Sequence, residues 1–113
     1  MITQTFLQEI SQLEADFCFA LADPTRILIL YSLNEAPRTV TDLTIELGIP
    51  QPTTSRHLKI LRDRGLVAVS RQGVSITYRL TDTRLIEALD LLRGVMRDRI
   101  THRALLMNEI NNH

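Results

Sequence analysis

The chain has 113 residues, enough for one domain with a modest core. At 44% hydrophobic and 23% charged it is neither a disordered polyelectrolyte nor a membrane span, and no apolar run approaches the roughly 18 residues a span requires. Thirteen basic residues balance thirteen acidic ones, and the single cysteine excludes an internal disulfide, so the cytoplasm is the expected compartment.

In chain order, Ile2, Phe6, Ile10, Leu13, Phe17 and Leu21 recur at three- and four-residue steps and predict one amphipathic helix over residues 2–21. Asp23 and Pro24 then read as cap and first residue of a second helix. Its residues Ile27, Leu28, Leu30, Tyr31 and Leu33 are apolar almost all round, as expected of the buried centre of a domain.

Thr39 to Leu66 reads as two short helices joined by a tight turn. Thr39 with Asp42 three residues on is a capping pattern, Val40, Leu43 and Leu47 keep helical spacing, and Gly48 supplies the stop. The next helix starts around Gln51 and Pro52, with Leu58 and Leu61 facing inward. Gln51, Thr53, Ser55, Arg56, Lys59 and Arg62 are left to point outward. A DNA major groove admits one such helix. Its floor is read by Gln, Ser, Thr and Arg, and its phosphate walls attract Arg and Lys.

After Gly65 the period changes from 3.6 to 2. Leu66–Ser70 and Ser75–Leu80 predict a hairpin turning at Arg71-Gln72-Gly73. Such a hairpin is marginal alone, so Val67, Val69, Ile76 and Tyr78 are expected to pack on the helices, with Arg71 and Gln72 offered at the tip. Thr81 and Asp82 precede a final helix to about residue 110, striped by Leu85, Leu89, Leu92, Met96 and Ile100. About 28 residues at 1.5 Å each give about 42 Å, more than a compact domain of this size covers. The surplus apolar surface predicts a two-fold dimer through the N- and C-terminal helices. Asn111, Asn112 and His113 are expected to fray.

Charge is segregated along this order. Residues 1–50 carry two basic and seven acidic side chains, residues 51–80 six basic against Asp63 alone, and the remainder five of each. A basic middle that coincides with the outward helix is the footprint of a polyanion site on one face. The chain has no nucleophile–base pair, no glycine-rich phosphate loop and no HExxH pattern, so no enzyme activity is expected.

The fold class that follows is mainly α with a small β-hairpin, a winged helix-turn-helix spanning residues 1–113 as a single DNA-binding domain with dimerisation helices at about 2–21 and 82–110. The element order, together with FALADPTRILILYSL and LGIPQPTTSRHLKILRDRGLV, resembles the ArsR/SmtB-type family of winged-helix repressors over residues 15–80. MarR-type dimers share the winged helix but not the ALADPTR motif. The resemblance implies a homodimer on a partly palindromic double-stranded operator, repressing transcription until a small effector arrives. It also implies base contacts from Gln51, Thr53, Thr54, Ser55 and Arg56, with His57, Lys59 and Arg62 flanking or facing phosphate. Many members have Ser where this chain has Pro50, so a hydroxyl cap is missing there.

Metal-sensing members resemble CVCDL at the first helix of the motif, where this chain has Thr39-Val40-Thr41-Asp42-Leu43. A Thr hydroxyl cannot replace a thiolate toward a soft ion. At the family's second metal site the chain offers Asp82, Arg84, Val95 and Asp98, with His102 nearby, and three convergent ligands cannot be assembled. No metal and no cofactor is therefore expected. Cys18, between Phe17 and Phe19, is expected to be a buried, unreactive thiol, with redox sensing through it as a lesser option. A small organic effector between the end helices, or none, remains open. The competing function is a winged-helix protein-interaction module without specific DNA binding.

Overall fold

The computed structural model describes residues 1–112, and His113 lies outside the described residues. The chain forms two compact units, Met1–Thr83 and the C-terminal helix that begins at Arg84.

The first unit opens with α1 (Gln4–Leu13), capped by Thr3, whose Oγ1 accepts from the Phe6 N–H at 3.0 Å. It does not continue to residue 21 as a regular α-helix. Glu14–Cys18 form a π-helical turn, in which the Phe19 N–H reaches back to the Glu14 carbonyl, and only then does α2 (Phe19–Leu21) close the segment. One extra residue in the turn rotates everything after it relative to the seam before it. Phe6, Ile10, Leu13 and Phe17 remain 37–45% exposed, so the apolar seam of this segment has no partner within its unit.

Asp23 ends that segment and caps α3 (Pro24–Glu35), its carboxylate accepting from the N–H groups of Thr25 at 2.8 Å and Arg26 at 3.3 Å. Ile29, Leu30 and Leu33 are buried. The helix is nevertheless not apolar on every buried position: Arg26 and Ser32 lie inside, whereas Leu28 is 54% exposed. The buried polar groups are bonded, Ser32 to Glu46 at 2.6 Å and Arg26 to backbone carbonyls, which is what makes their burial tolerable.

Next come α4 (Val40–Leu47) and α5 (Gln51–Asp63), followed by β1 (Val67–Gln72) and β2 (Ser75–Leu80). Leu43 from α4, Leu58 and Leu61 from α5, and Leu66 are fully buried with Ile29 and Leu30. Each such side chain contributes about 1.5–3 kcal/mol relative to exposure, and together they fix the pair α4–α5 on α3. The hairpin turn is Gly73-Val74, not Arg71-Gln72-Gly73. Arg71 pairs with Ile76 and Gln72 with Ser75 inside the ladder, and Gly73 takes φ +62°, as the first central position of a type II′ turn requires. Only the base of the hairpin packs inward: Val67 is buried, Val69 and Tyr78, nearer the base, are half-buried, and Ile76, nearer the turn, is exposed. A feature without a sequence signal ties this base down. Arg38 exchanges both backbone hydrogen bonds with Tyr78, at 3.0 and 2.7 Å, adding a one-residue third strand from the loop before α4.

The second unit is a single helix, α6 (Arg84–Asn111), of 28 residues. It is still helical at Asn111, and Leu92, Val95, Met96, Ile100, Leu106 and Ile110 are all exposed along it.

Candidate nucleic-acid interface

The site is built by α4, the turn Gly48–Pro50, and α5. At the start of α4 the Thr39 side chain accepts from the Asp42 N–H at 3.1 Å, and the Asp42 carboxylate accepts from the Thr39 N–H at 3.0 Å. The hydrogen bond from the Thr39 N–H, followed by a smaller contribution from the Thr39 side chain, holds the Asp42 carboxyl below its ordinary pKa. At the other end Gly48 takes φ +65°, a left-handed conformation in which a side chain would be strained, and reverses the chain toward α5. Pro50 caps α5 without a side-chain bond, and its carbonyl accepts from the N–H groups of Thr53 and Thr54 at 3.0 and 3.1 Å.

Along α5, Gln51, Ser55, Lys59 and Arg62 fall at steps of four, four and three on an exposed stripe, with exposed Arg56 beside it. Thr53 is half-buried, and its hydroxyl accepts from Arg56 Nη2 at 3.4 Å. Lys59 Nζ lies 2.9 Å from Asp63 in an exposed pair, and that hydrogen bond keeps the Asp63 carboxyl below its ordinary pKa. Arg71 and Gln72 are exposed near the end of β1, and Val74 at the turn is fully exposed.

Two of the ten expected contact residues point elsewhere. Thr54 is fully buried. Its hydroxyl accepts from Thr44 Oγ1 at 2.9 Å and lies 3.4 Å from the Pro50 carbonyl, so it joins α4 to α5 rather than facing outward. Its spacing of four and seven residues from Leu58 and Leu61 was the available signal. His57 is half-buried with Nδ1 3.3 Å from Arg26 Nη1, directed at α3. Cys18 is exposed rather than buried, since the turn that carries it stands at the edge of its unit.

Among the described residues, no three His, Cys, Asp or Glu side chains group together as ligands for a metal ion, and no helix is long and apolar enough to cross a membrane. What the surface offers is a helix of short polar and cationic side chains followed directly by a hairpin with a cation near its tip.

Comparison with known proteins agrees with this architecture. A family model described as bacterial regulatory protein, arsR family, matches residues 23–69. The chain is 45% identical over 71 residues to the HTH-type transcriptional regulator NmtR of Mycobacterium tuberculosis, a match covering 63% of this chain and 59% of NmtR. The chain thus spans about three-fifths of the length of such relatives. It is 33% identical over 78 residues to the biofilm growth-associated repressor of Xylella fastidiosa, covering 69% of this chain and 68% of the repressor. Among solved structures, Rv0081 of M. tuberculosis superposes with a TM-score of 0.75 at 32% identity, over 84% of this chain and 96% of that one. The homodimeric winged helix-turn-helix DNA-binding domain Mb0332 from Mycobacterium bovis superposes with a TM-score of 0.76 at 26% identity, over 89% and 93%. On its fold, its motif and these likenesses, the chain belongs to the arsR family of bacterial regulatory proteins.

Proposed function

We propose that this chain is a sequence-specific, double-stranded DNA-binding transcriptional repressor that acts as a homodimer on a partly palindromic operator. The observation that carries the reading is the exposed face of α5, where Gln51, Ser55, Arg56, Lys59 and Arg62 stand clear of the core. Gln51, Thr53, Ser55 and Arg56 are suited to base edges, and Lys59, Arg62 and Arg71 to phosphates, with Gln72 beside them on the wing. His57 supports the helix from within. Relatives described as repressors and regulators favour the same role.

Dimerisation is assigned to the end helices, about residues 2–21 and 82–110, within a single functional domain of residues 1–113. Support comes from the exposed apolar side chains of α1 and α6 and from a structural neighbour described as homodimeric. Release from DNA is assigned to a non-metal effector. Hydroxyls stand at Thr39 and Thr41, where thiolates would be needed for soft ions, and a Thr side chain is a poor ligand for them. The chain is read as a regulator without enzymatic activity, working in the cytoplasm.

The test is selection of bound duplexes from a random pool, followed by titration of the selected duplex against a scrambled one. Specific binding at least a hundredfold tighter than to scrambled DNA is expected, weakening steeply with salt as counterions are released. Equal binding to both duplexes would refute sequence-specific recognition.

A further inference from the structure

The π-helical turn at Glu14–Cys18 is the least regular part of the N-terminal segment; one arginine, Arg64, closes on that turn and a second, Arg26, on the residues directly after it. Arg26, on α3, is only 8% exposed. Its Nε donates to the Ala20 carbonyl at 2.6 Å and its Nη2 to the Phe19 carbonyl at 3.2 Å, the latter shared with the Ala22 N–H, so a cation caps the C-terminal end of α2. Its third nitrogen, Nη1, lies 3.3 Å from His57 Nδ1 in the middle of α5. Arg64, the residue that ends α5, donates to the Ala15 carbonyl at 2.5 Å and lies 3.7 Å from Asp16.

Phe19, 49% exposed, lies against both. Its ring centroid is 4.6 Å from the Arg64 guanidinium and 5.8 Å from that of Arg26, both within cation–π range. The contacts therefore join the middle and the end of α5 to the five or six residues where the N-terminal segment changes its winding. They leave the first five residues of α5, Gln51 to Ser55, outside this clamp. Main-chain carbonyls are the principal acceptors, and those move with the helix backbone rather than with a pliant side chain.

From this geometry we infer that Arg26 and Arg64 are positioning residues for DNA recognition, tying the orientation of α5 to the π-helical turn and hence to α1. The inference rests on the DNA-binding reading above. Where α1 packs against a second copy, the placement of that helix is passed to α5 through the two guanidinium groups. The coupling is reciprocal, so DNA bound to α5 must alter the turn in return.

The test compares the unmodified chain with Arg64→Met and Phe19→Leu, using the duplex selected from a random pool. Three quantities are measured: duplex affinity, melting temperature and backbone hydrogen exchange over residues 14–20 with and without DNA. In the unmodified protein, DNA is expected to slow exchange across 14–20 by several-fold. Arg64→Met is expected to melt within a few degrees of the parent, to bind about tenfold more weakly, and to lose the exchange response to DNA. A merely structural role would lower stability without abolishing that response. Phe19→Leu, which keeps the carbonyls and removes the ring, is expected to weaken the response and carries the test if Arg64→Met does not fold. Unmodified protein that binds the duplex with no change at 14–20 would overturn the coupling and leave the DNA reading intact. So would variants that bind with the full response retained. Unmodified protein that binds no duplex would overturn both.

Discussion

Replacing Thr54 by Val separates a groove-facing residue from an interior one. The substitution keeps the shape and removes the hydroxyl, which is fully buried, accepts from Thr44 at 2.9 Å and approaches the Pro50 carbonyl at 3.4 Å. Pro50 keeps its two backbone donors, and the half-buried Thr44 hydroxyl can turn toward water. The loss is therefore one good hydrogen bond and one long one, about 1–2 kcal/mol. For a unit of this size that lowers the melting temperature by about 5–12 °C. Thermal melts at matched protein concentration check it, since self-association makes a midpoint concentration-dependent. Affinity for the selected duplex, measured well below the melt, should stay within about twofold. Thr44→Val combined with Thr54→Val should cost less than the two singles added, because the pair is then removed together. An unchanged melting temperature with a tenfold loss of DNA affinity would refute the placement of Thr54 in the core.

Arg56→Ala should leave the melting temperature unaltered and reduce discrimination between operator and scrambled DNA, whereas Arg71→Ala should weaken both equally and lower the salt slope by about one, readable by fluorescence titration at several salt concentrations. Ile10→Asp, in the exposed seam of α1, should give a monomer by sedimentation at micromolar concentration; a persistent dimer would remove α1 from the interface. Stability should fall on acidification below about pH 4. The Asp42 and Asp63 carboxyls are held below their ordinary values, by Thr39 and Lys59 respectively, so their contributions are present above the unfolded pKa and lost as pH falls through the folded one. Urea midpoints for Asp42→Asn should show a shallower acid limb than the parent, and an equally steep one would refute that assignment.

Local chemistry made much of this fold readable in advance. The Thr39–Asp42 cap, the Asp23 cap before Pro24 and the left-handed Gly48 are each dictated by residues within four positions of one another, and each stands as expected. What escaped was set at longer range or by the backbone itself. The π-helical turn lies in EADFC, which has neither Gly nor Pro, and the side chain that bonds its backbone, Arg64, is 49 residues along the chain from Ala15. The Arg38–Tyr78 bridge is one residue long and so has no alternation to read. Val74 is β-branched and looks like strand, yet a type II′ turn asks for glycine only at the position before it. At the site, Thr53 and Thr54 are chemically identical neighbours that residue type cannot separate; the helical spacing of Thr54 from Leu58 and Leu61 marks it as the inner one, and its bond to Thr44 of α4 holds it there.

The way α5 begins limits how it can hold a polyanion. Many helices meet a phosphate with a fan of main-chain amides. Here Pro52 has none and the Thr53 amide is already turned back on the Pro50 carbonyl, which leaves at most the Gln51 amide of the first three helical residues. On the DNA-binding reading, attraction to the duplex then comes mainly from replaceable side chains. A lineage carrying this proline could exchange one operator for another by point substitutions on an unaltered scaffold, with little backbone-mediated affinity to mask the difference.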